Sequence, residues 1–364
     1  MYLRMIECIW CRETGSERVE SYPLTGSIAA LYMGSKLGDN SQMDFADVYQ
    51  RYKPDLNSVD ETLLRSVQSQ NTRLTESSTQ LVQAGGKRLR PLFALICSRF
   101  GPSREKEQLY LLGAALEMVH MATLVHDDVI DNSDMRRGRP TVRAQFGNRP
   151  AMYTGDFLFA RAIWMFVRIG DPRVHQTMSA AMVEMCQGEI EQIRDFYRWN
   201  QPLRVYLRRV KRKTALLISV SCSLGALVAG AKPEVVNALG RFGYHAGMAF
   251  QIIDDVLDYV GDEAVVGKRV GSDLFQGNLT LPALYGTRCG PHAKDLQELI
   301  RPNMSAEDTG QAIGLIRESG GIDMARNLAR RYLNKAIRDL DILQLAEATE
   351  ELSVLAHFLN QRMF

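Results

Sequence analysis

The stretch from Leu109 to Val129 is so apolar that it must be buried on most sides, yet it runs straight into Asp127-Asp128-Val129-Ile130-Asp131. A second long apolar stretch, Val235 to Tyr259, carries Asp254-Asp255-Val256-Leu257-Asp258 at its end. Residues four apart on a helix are separated by about 40° around its axis, so Asp127 and Asp131 share a face, as do Asp254 and Asp258. Two like charges about 4 Å apart at an intermediate dielectric repel by roughly 4 kcal/mol before screening. One such cluster could be a solvated face. Two clusters of the same DDxxD form on buried helices call for hard cations between them, and Mg²⁺ with diphosphate oxygens is the natural load.

The rest of the chain agrees with a helical frame. From Met43 onward apolar residues recur at helical spacing: Leu56 to Ala84, Leu92 to Phe100, Leu109 to Val129, Ala151 to Val167, His175 to Trp199, Leu203 to Ala231, Val235 to Tyr259 and Met324 to Met363. Gly85-Gly86 closes the first of these, and Gly138 and Pro140 break the chain after the first acidic run. No alternating run bounded by hairpin turns suggests a sheet, so the predicted fold is all-α, with long helices around a central cavity. Residues 1–42 carry no sustained helical period, and Met43-Asp44-Phe45 reads like an ordinary protein start; 1–42 is expected to be a poorly structured extension, and 43–364 a single large domain. The 17-residue apolar run Ala215–Ala231, interrupted by Ser219, Ser221, Ser223, Gly225 and Gly230, reads as a buried core helix and not as a membrane span.

Composition narrows the chemistry. A net charge of +2 over 364 residues gives no footprint for nucleic acid. Six scattered cysteines suit reduced thiols in the cytoplasm, and Cys8 and Cys11 form a CxxC with no second pair or histidine nearby. Walker A and GxGxxG loops are absent, and no Ser/His or Cys/His arrangement supplies a nucleophile. Cations instead accompany the acidic runs: Lys87 and Arg90 after the glycine pair, Arg136 and Arg137 after the first run, and Lys213, Lys268 and Arg269 around the second. That pattern suits two phosphorylated ligands, one held through metal and one directly by Lys and Arg.

These motifs resemble the trans-polyprenyl diphosphate synthases. The resemblance runs from about Met43 to the C-terminus through GGKRLRP (85–91), HDDVIDNSDMRRGRPT (126–141), TGDFL (154–158), KRKT (211–214), FQIIDDVLDYVGD (250–262) and GSDLFQGNLTLPAL (271–284). It implies an isoprenoid-synthase bundle that adds isopentenyl diphosphate to an allylic diphosphate such as the farnesyl ester. It implies Mg²⁺ held by Asp127, Asp128 and Asp131 from one wall and by Asp254, Asp255 and Asp258 from the other. Arg136 would contact the allylic diphosphate; Lys87, Arg90, His120 and Arg137 would hold isopentenyl diphosphate. Lys213, Thr214, Gln251 and Lys268 would support the allylic diphosphate and the developing cation. One departure is Asn278, where many relatives carry lysine, which weakens or relocates one phosphate contact. The wording of GEIEQI and LRRVKRKTALLISVSCSLGA is most like the catalytic component of the bacterial two-component heptaprenyl diphosphate synthases, whose product would serve a menaquinone side chain.

That likeness implies a small noncatalytic component I subunit as partner, with a homodimer as the alternative and membrane contact limited to the lipid product. Met118, Val119, Ala122 and Thr123 precede Asp127 by one and two turns, where a growing tail would pass. None is Phe or Tyr, so nothing aromatic closes a tunnel near the metals, and a long product is expected. Homomeric hexaprenyl-, octaprenyl- or solanesyl-type synthases remain alternatives. A class I terpene cyclase is disfavoured by two intact acidic runs and by GGKRLRP; a noncatalytic subunit is disfavoured because no aspartate is lost.

Overall fold

A computed structural model describes residues 43–360, without 104, 137 and 261–269. Phe45–Phe364 form one compact unit. The reading of 1–42 as an extension lies outside the described residues.

The first helix among the described residues, α1, spans Phe45–Ser66, and α2 spans Thr72–Gln83. Leu56 to Ala84 is therefore not one helix. Its period survives the break, but Asn71 accepts a hydrogen bond from the Leu74 amide at 3.3 Å and starts a new helix, as a short polar side chain at an N-cap does. Then follow α3 (Leu89–Ser98), α4 (Lys106–Ile130), a two-residue antiparallel ladder pairing Met135–Arg136 with Arg139–Pro140, and α5 (Val142–Phe146). Next come α6 (Asn148–Ile169), α7 (Pro172–Arg194), α8 (Leu203–Val210), a π-helical turn at Lys211–Ala215 and α9 (Leu216–Val228). After α10 (Pro233–Val260) come α11 (Ser272–Phe275), α12 (Leu281–Cys289), α13 (Ala293–Leu299) and α14 (Ala306–Glu318). The C-terminal region, expected to be helical, is α15 (Gly321–Leu340) and α16 (Ala346–Asn360).

Two long helices organise the bundle. On one side α4 packs against α6, α3 and α1; on the other, α10 packs against α15, and α9 lies between α4 and α10. Small residues make that central position possible. A Cβ on Gly225 of α9 would lie 2.2 Å from the Ala94 carbonyl of α3, and one on Gly247 of α10 would lie 2.6 Å from Ala215 Cα. Both contacts are helix backbone against helix backbone, which no rotamer change can relieve. The serines of α9 are absorbed locally: Ser221 Oγ donates to the Leu217 carbonyl at 2.7 Å, and Ser219 Oγ to that of Gly240 at 2.7 Å. Helix α4 is long and apolar enough to cross a bilayer, but 67% of its apolar window is buried inside the protein.

The last helix is tied to the first. Glu351 of α16 is fully buried and accepts hydrogen bonds from Tyr52 Oη at 2.8 Å and Arg99 Nη1 at 3.1 Å, with Arg51 as a further partner. A buried carboxylate is tolerable only with donors of this kind.

Candidate active site

Both acidic runs sit at helix C-terminal ends, α4 for the first and α10 for the second. In each, the middle aspartate turns away from the outer pair, as the 100° step of a helix requires. Asp128 is buried and accepts from Arg136 Nε at 2.8 Å and Nη2 at 2.7 Å. Arg136, expected on the allylic diphosphate, is thus anchored on Asp128. Asp255 is also buried, accepting from Tyr206 Oη at 2.7 Å and Gln251 Nε2 at 2.8 Å. Asp127 and Asp131 are half-buried, Asp254 is exposed, and Asp258 accepts from Ser272 Oγ at 3.1 Å and the Asp273 amide at 3.2 Å.

Lys213 is electrostatically coupled to carboxylates of both walls. It sits in the π-helical turn, with its ammonium 3.5 Å from Gln192 Oε1. Burial alone would lower its pKa, but Asp127, Glu189, Asp273 and Asp131 together hold the ammonium well above the usual lysine range. Asp273 in turn faces Asp255 and Asp258, so one field links both acidic runs through Lys213 and Asp273. Beside Lys213, the Thr214 hydroxyl donates to Gln251 Oε1, which brings together two residues expected at the developing cation.

The second expected subsite is built from the glycine-rich turn. Gly85 has φ 70° and Arg88 has φ 45°, a conformation a non-glycine residue holds only when over-determined. Here Arg88 is buried and donates to Asp60 at 2.7 Å, Glu117 at 3.3 Å and the Val82 carbonyl at 2.7 Å. Glu117 lies one turn before His120 on α4, so Arg88 fixes the Lys87–Arg90 turn beside the helix stretch that carries His120. Lys87 is exposed, with its ammonium 4.4 Å from the Phe358 ring centroid; Arg90 and His120 are half-buried. Arg137 and Lys268 lie outside the described residues. Asn278 is buried, its backbone N–H donating to the Asp273 backbone carbonyl at 2.8 Å. Met118, Val119 and Ala122 are fully buried, whereas Thr123 is half-buried and donates to the His120 carbonyl at 2.8 Å.

Glu189, Asp273, Tyr206 and Arg88 were not singled out by sequence reasoning, although each sits in or near a quoted motif. Glu189 had a local signal: it lies three residues before Gln192, on one face of α7, and Gln192 Oε1 is 3.5 Å from Lys213 Nζ.

Among the described residues, no three carboxylate, histidine or cysteine side chains come close enough to cage an ion alone. The donors are hard oxygens divided between two walls. That suits a cation which completes its shell with ligand oxygens and water, and does not suit a closed all-protein site. Burial, with Asp273 nearby, pushes Asp255 and Asp258 up to about 7. Raised folded-state values mean that these groups stabilise the fold fully below their ordinary value of 3.8, and that this contribution is lost as pH rises through about 7. The cation-free protein is therefore expected to melt at a lower temperature at about pH 8 than at about pH 5.5, with Asp273→Asn narrowing the difference. Thermal melts in chelator across that range check this; equal pH slopes for the two proteins would refute the proposed role of Asp273.

The fold and site define a class, the all-α isoprenoid synthases. The polyprenyl synthetase sequence profile matches residues 71–316. Heptaprenyl diphosphate synthase component 2 of Geobacillus stearothermophilus is 48% identical over 88% of this chain and 99% of its own length. Its namesake in Bacillus subtilis is 43% identical over 89% of this chain and 92% of its own. Among solved structures, heptaprenyl diphosphate synthase of Staphylococcus aureus superposes with a TM-score of 0.82 at 38% identity, covering 85% of this chain and 98% of that one. A Caulobacter crescentus polyprenyl synthase complexed with calcium and isoprenyl diphosphate gives 0.83 at 32% identity, covering 89% and 99%. The chain belongs to the polyprenyl synthetase family. It is a trans-polyprenyl diphosphate synthase, a prenyltransferase.

Proposed function

We propose that this enzyme works in the cytoplasm as the catalytic component of a heptaprenyl diphosphate synthase, using Mg²⁺, and that its product supplies a menaquinone side chain. The observation that carries the site assignment is the two acidic runs at the C-terminal ends of α4 and α10, with the buried Lys213 electrostatically coupled to Asp127 and Asp131 of one and to Asp273, which binds Asp258 of the other. The product assignment is supported by the relatives named heptaprenyl diphosphate synthase component 2 and by the lack of an aromatic residue at Met118, Val119, Ala122 and Thr123.

In this reading Asp127, Asp131, Asp254 and Asp258 hold the cations, which when bound draw negative charge onto the leaving diphosphate. Lys213 and the anchored Arg136 neutralise the same group directly. The allylic C–O bond breaks with its electron pair on the diphosphate. Lys87, Arg90 and His120 hold isopentenyl diphosphate so that its double bond meets the cationic carbon and forms the new C–C bond. The proton released from the adduct goes to the departed diphosphate. Thr214 and Gln251 present oxygen toward the charge while it exists.

The partner reading has support on the surface. Successive helices α6 and α7 expose Ile163, Trp164, Val167, Val183, Ile190 and Ile193, with Ile190 69% exposed. Large apolar side chains exposed in this number on successive helices suit a protein contact. We assign it to a small noncatalytic component I subunit, because the relatives that cover nearly the whole domain are named as second components.

The test is to supply farnesyl diphosphate and labelled isopentenyl diphosphate, with and without the component I subunit, and to size the products. Heptaprenyl diphosphate formed only with the partner is the expected result. Full-length product without it, unchanged by Val183→Asp or Ile190→Asp, would overturn the partner assignment.

A further inference from the structure

Tyr206 belongs to none of the substrate or metal assignments above, yet it is completely buried and its hydroxyl meets the second acidic run. We propose that Tyr206 is a positioning residue for allylic ionisation, acting through Asp255 to set which end of the Gln251 amide faces the reacting carbon. The inference rests on the reading that Thr214 and Gln251 face the developing cation.

Burial works against the carboxylate form of Asp255, but its two hydrogen-bond donors favour that form, which only accepts hydrogen bonds. Asp255 takes one from Tyr206 Oη on Oδ2 at 2.7 Å and one from Gln251 Nε2 on Oδ1 at 2.8 Å. With its NH₂ committed to Asp255, Gln251 has only Oε1 to turn toward Thr214, and the Thr214 hydroxyl donates to it. The order Tyr206, Asp255, Gln251, Thr214 therefore has one consistent polarity. It presents amide oxygen, with its partial negative charge, where positive charge develops. The reversed amide would present two N–H groups and oppose ionisation.

Tyr206 is what makes this polarity rigid. Asp255 is only 4% exposed, so an unmatched Oδ2 could not turn to water and would compete for the Gln251 amide. The tyrosine ring is itself held: the Arg209 guanidinium lies 5.6 Å from its centroid and donates to the Leu279 carbonyl at 2.5 Å. Asp255 thus has a different task from Asp254 and Asp258. It orients a neutral amide and does not hold a cation.

Two substitutions test this. Tyr206→Phe keeps the ring and removes the hydroxyl; kcat should fall roughly tenfold with both KM values within about twofold. Asp255→Asn should be worse, roughly a hundredfold, because its NH₂ meets Gln251 and forces the amide to reverse. In both variants the rise in melting temperature produced by inorganic diphosphate with Mg²⁺ should match the unmodified enzyme. In a Gln251→Leu background, Tyr206→Phe should cost nothing further. Loss of the melting shift in Asp255→Asn would make Asp255 a cation ligand and overturn the proposal. So would additive losses from Tyr206→Phe and Gln251→Leu, or an unchanged kcat in Tyr206→Phe. If Gln251→Leu alone keeps full kcat, the parent reading of Gln251 falls, and the proposal falls with it.

Discussion

Alanine at Asp127 or at Asp254 is expected to cut turnover by at least roughly a thousandfold, because each removes a hard oxygen donor from one wall of the cation site. The fold should survive. Asp254 is exposed near the C-terminal end of α10, and its truncation relieves like-charge repulsion with Asp258 one turn further on. Asp127 faces Lys213, but Glu189, Asp273 and Asp131 remain to keep that ammonium charged. Cation-free melting temperatures should therefore stay level or rise, while steady-state assays with labelled isopentenyl diphosphate show no measurable product. Activity retained by both variants without added Mg²⁺ would dispose of the two-wall cation site.

Phenylalanine at Ala122 is expected to shorten the product. Ala122 is fully buried on α4, a little more than one turn before Asp127, where that helix packs against α6. A ring placed there obstructs any tail leaving the metal end along α4. Overpacking of this kind costs roughly 1–3 kcal/mol of stability, which a domain of this size should withstand. Ionisation depends on the aspartates, Lys213 and the Thr214–Gln251 pair, none of which is displaced directly. Chromatography of the dephosphorylated products should show the ladder ending near the farnesyl or geranylgeranyl length. An unchanged ladder from a folded variant would mean that the tail does not pass Ala122.

The all-α architecture and both acidic runs were legible because they rest on local rules, helical spacing and the four-residue repeat of a helix face. Helix ends were less legible. The Leu56–Ala84 reading missed the break at Asn71 because apolar period continues across a turn, whereas a cap depends on one side chain. The run Leu203–Ala231 hid a π-helical turn at Lys211–Ala215, since a widened turn leaves composition unaltered. Within the site, residue types were legible but pairings were not. Asp128 with Arg136 is separated by eight residues and Tyr206 with Asp255 by forty-nine, and nothing in either neighbourhood specifies the other. Glu189 and Asp273 lie within quoted motifs, but nothing in those motifs shows what either faces. Their importance comes from what they face.

The clasp between α16 and α1 bears on how the protein is made. Glu351 meets Arg51 across 300 residues of sequence, so the contact cannot form until the whole stretch between them has left the ribosome. Until then Tyr52, Arg51 and Arg99 lack their shared carboxylate, and the surfaces of α1 and α3 that α16 covers stay open. Contacts of such long range are slow to close and leave intermediates prone to association. The last of the described helices thus seals the first of them, and a ribosome stalled shortly before Glu351 would release a chain with most of its described helices but an unclosed core.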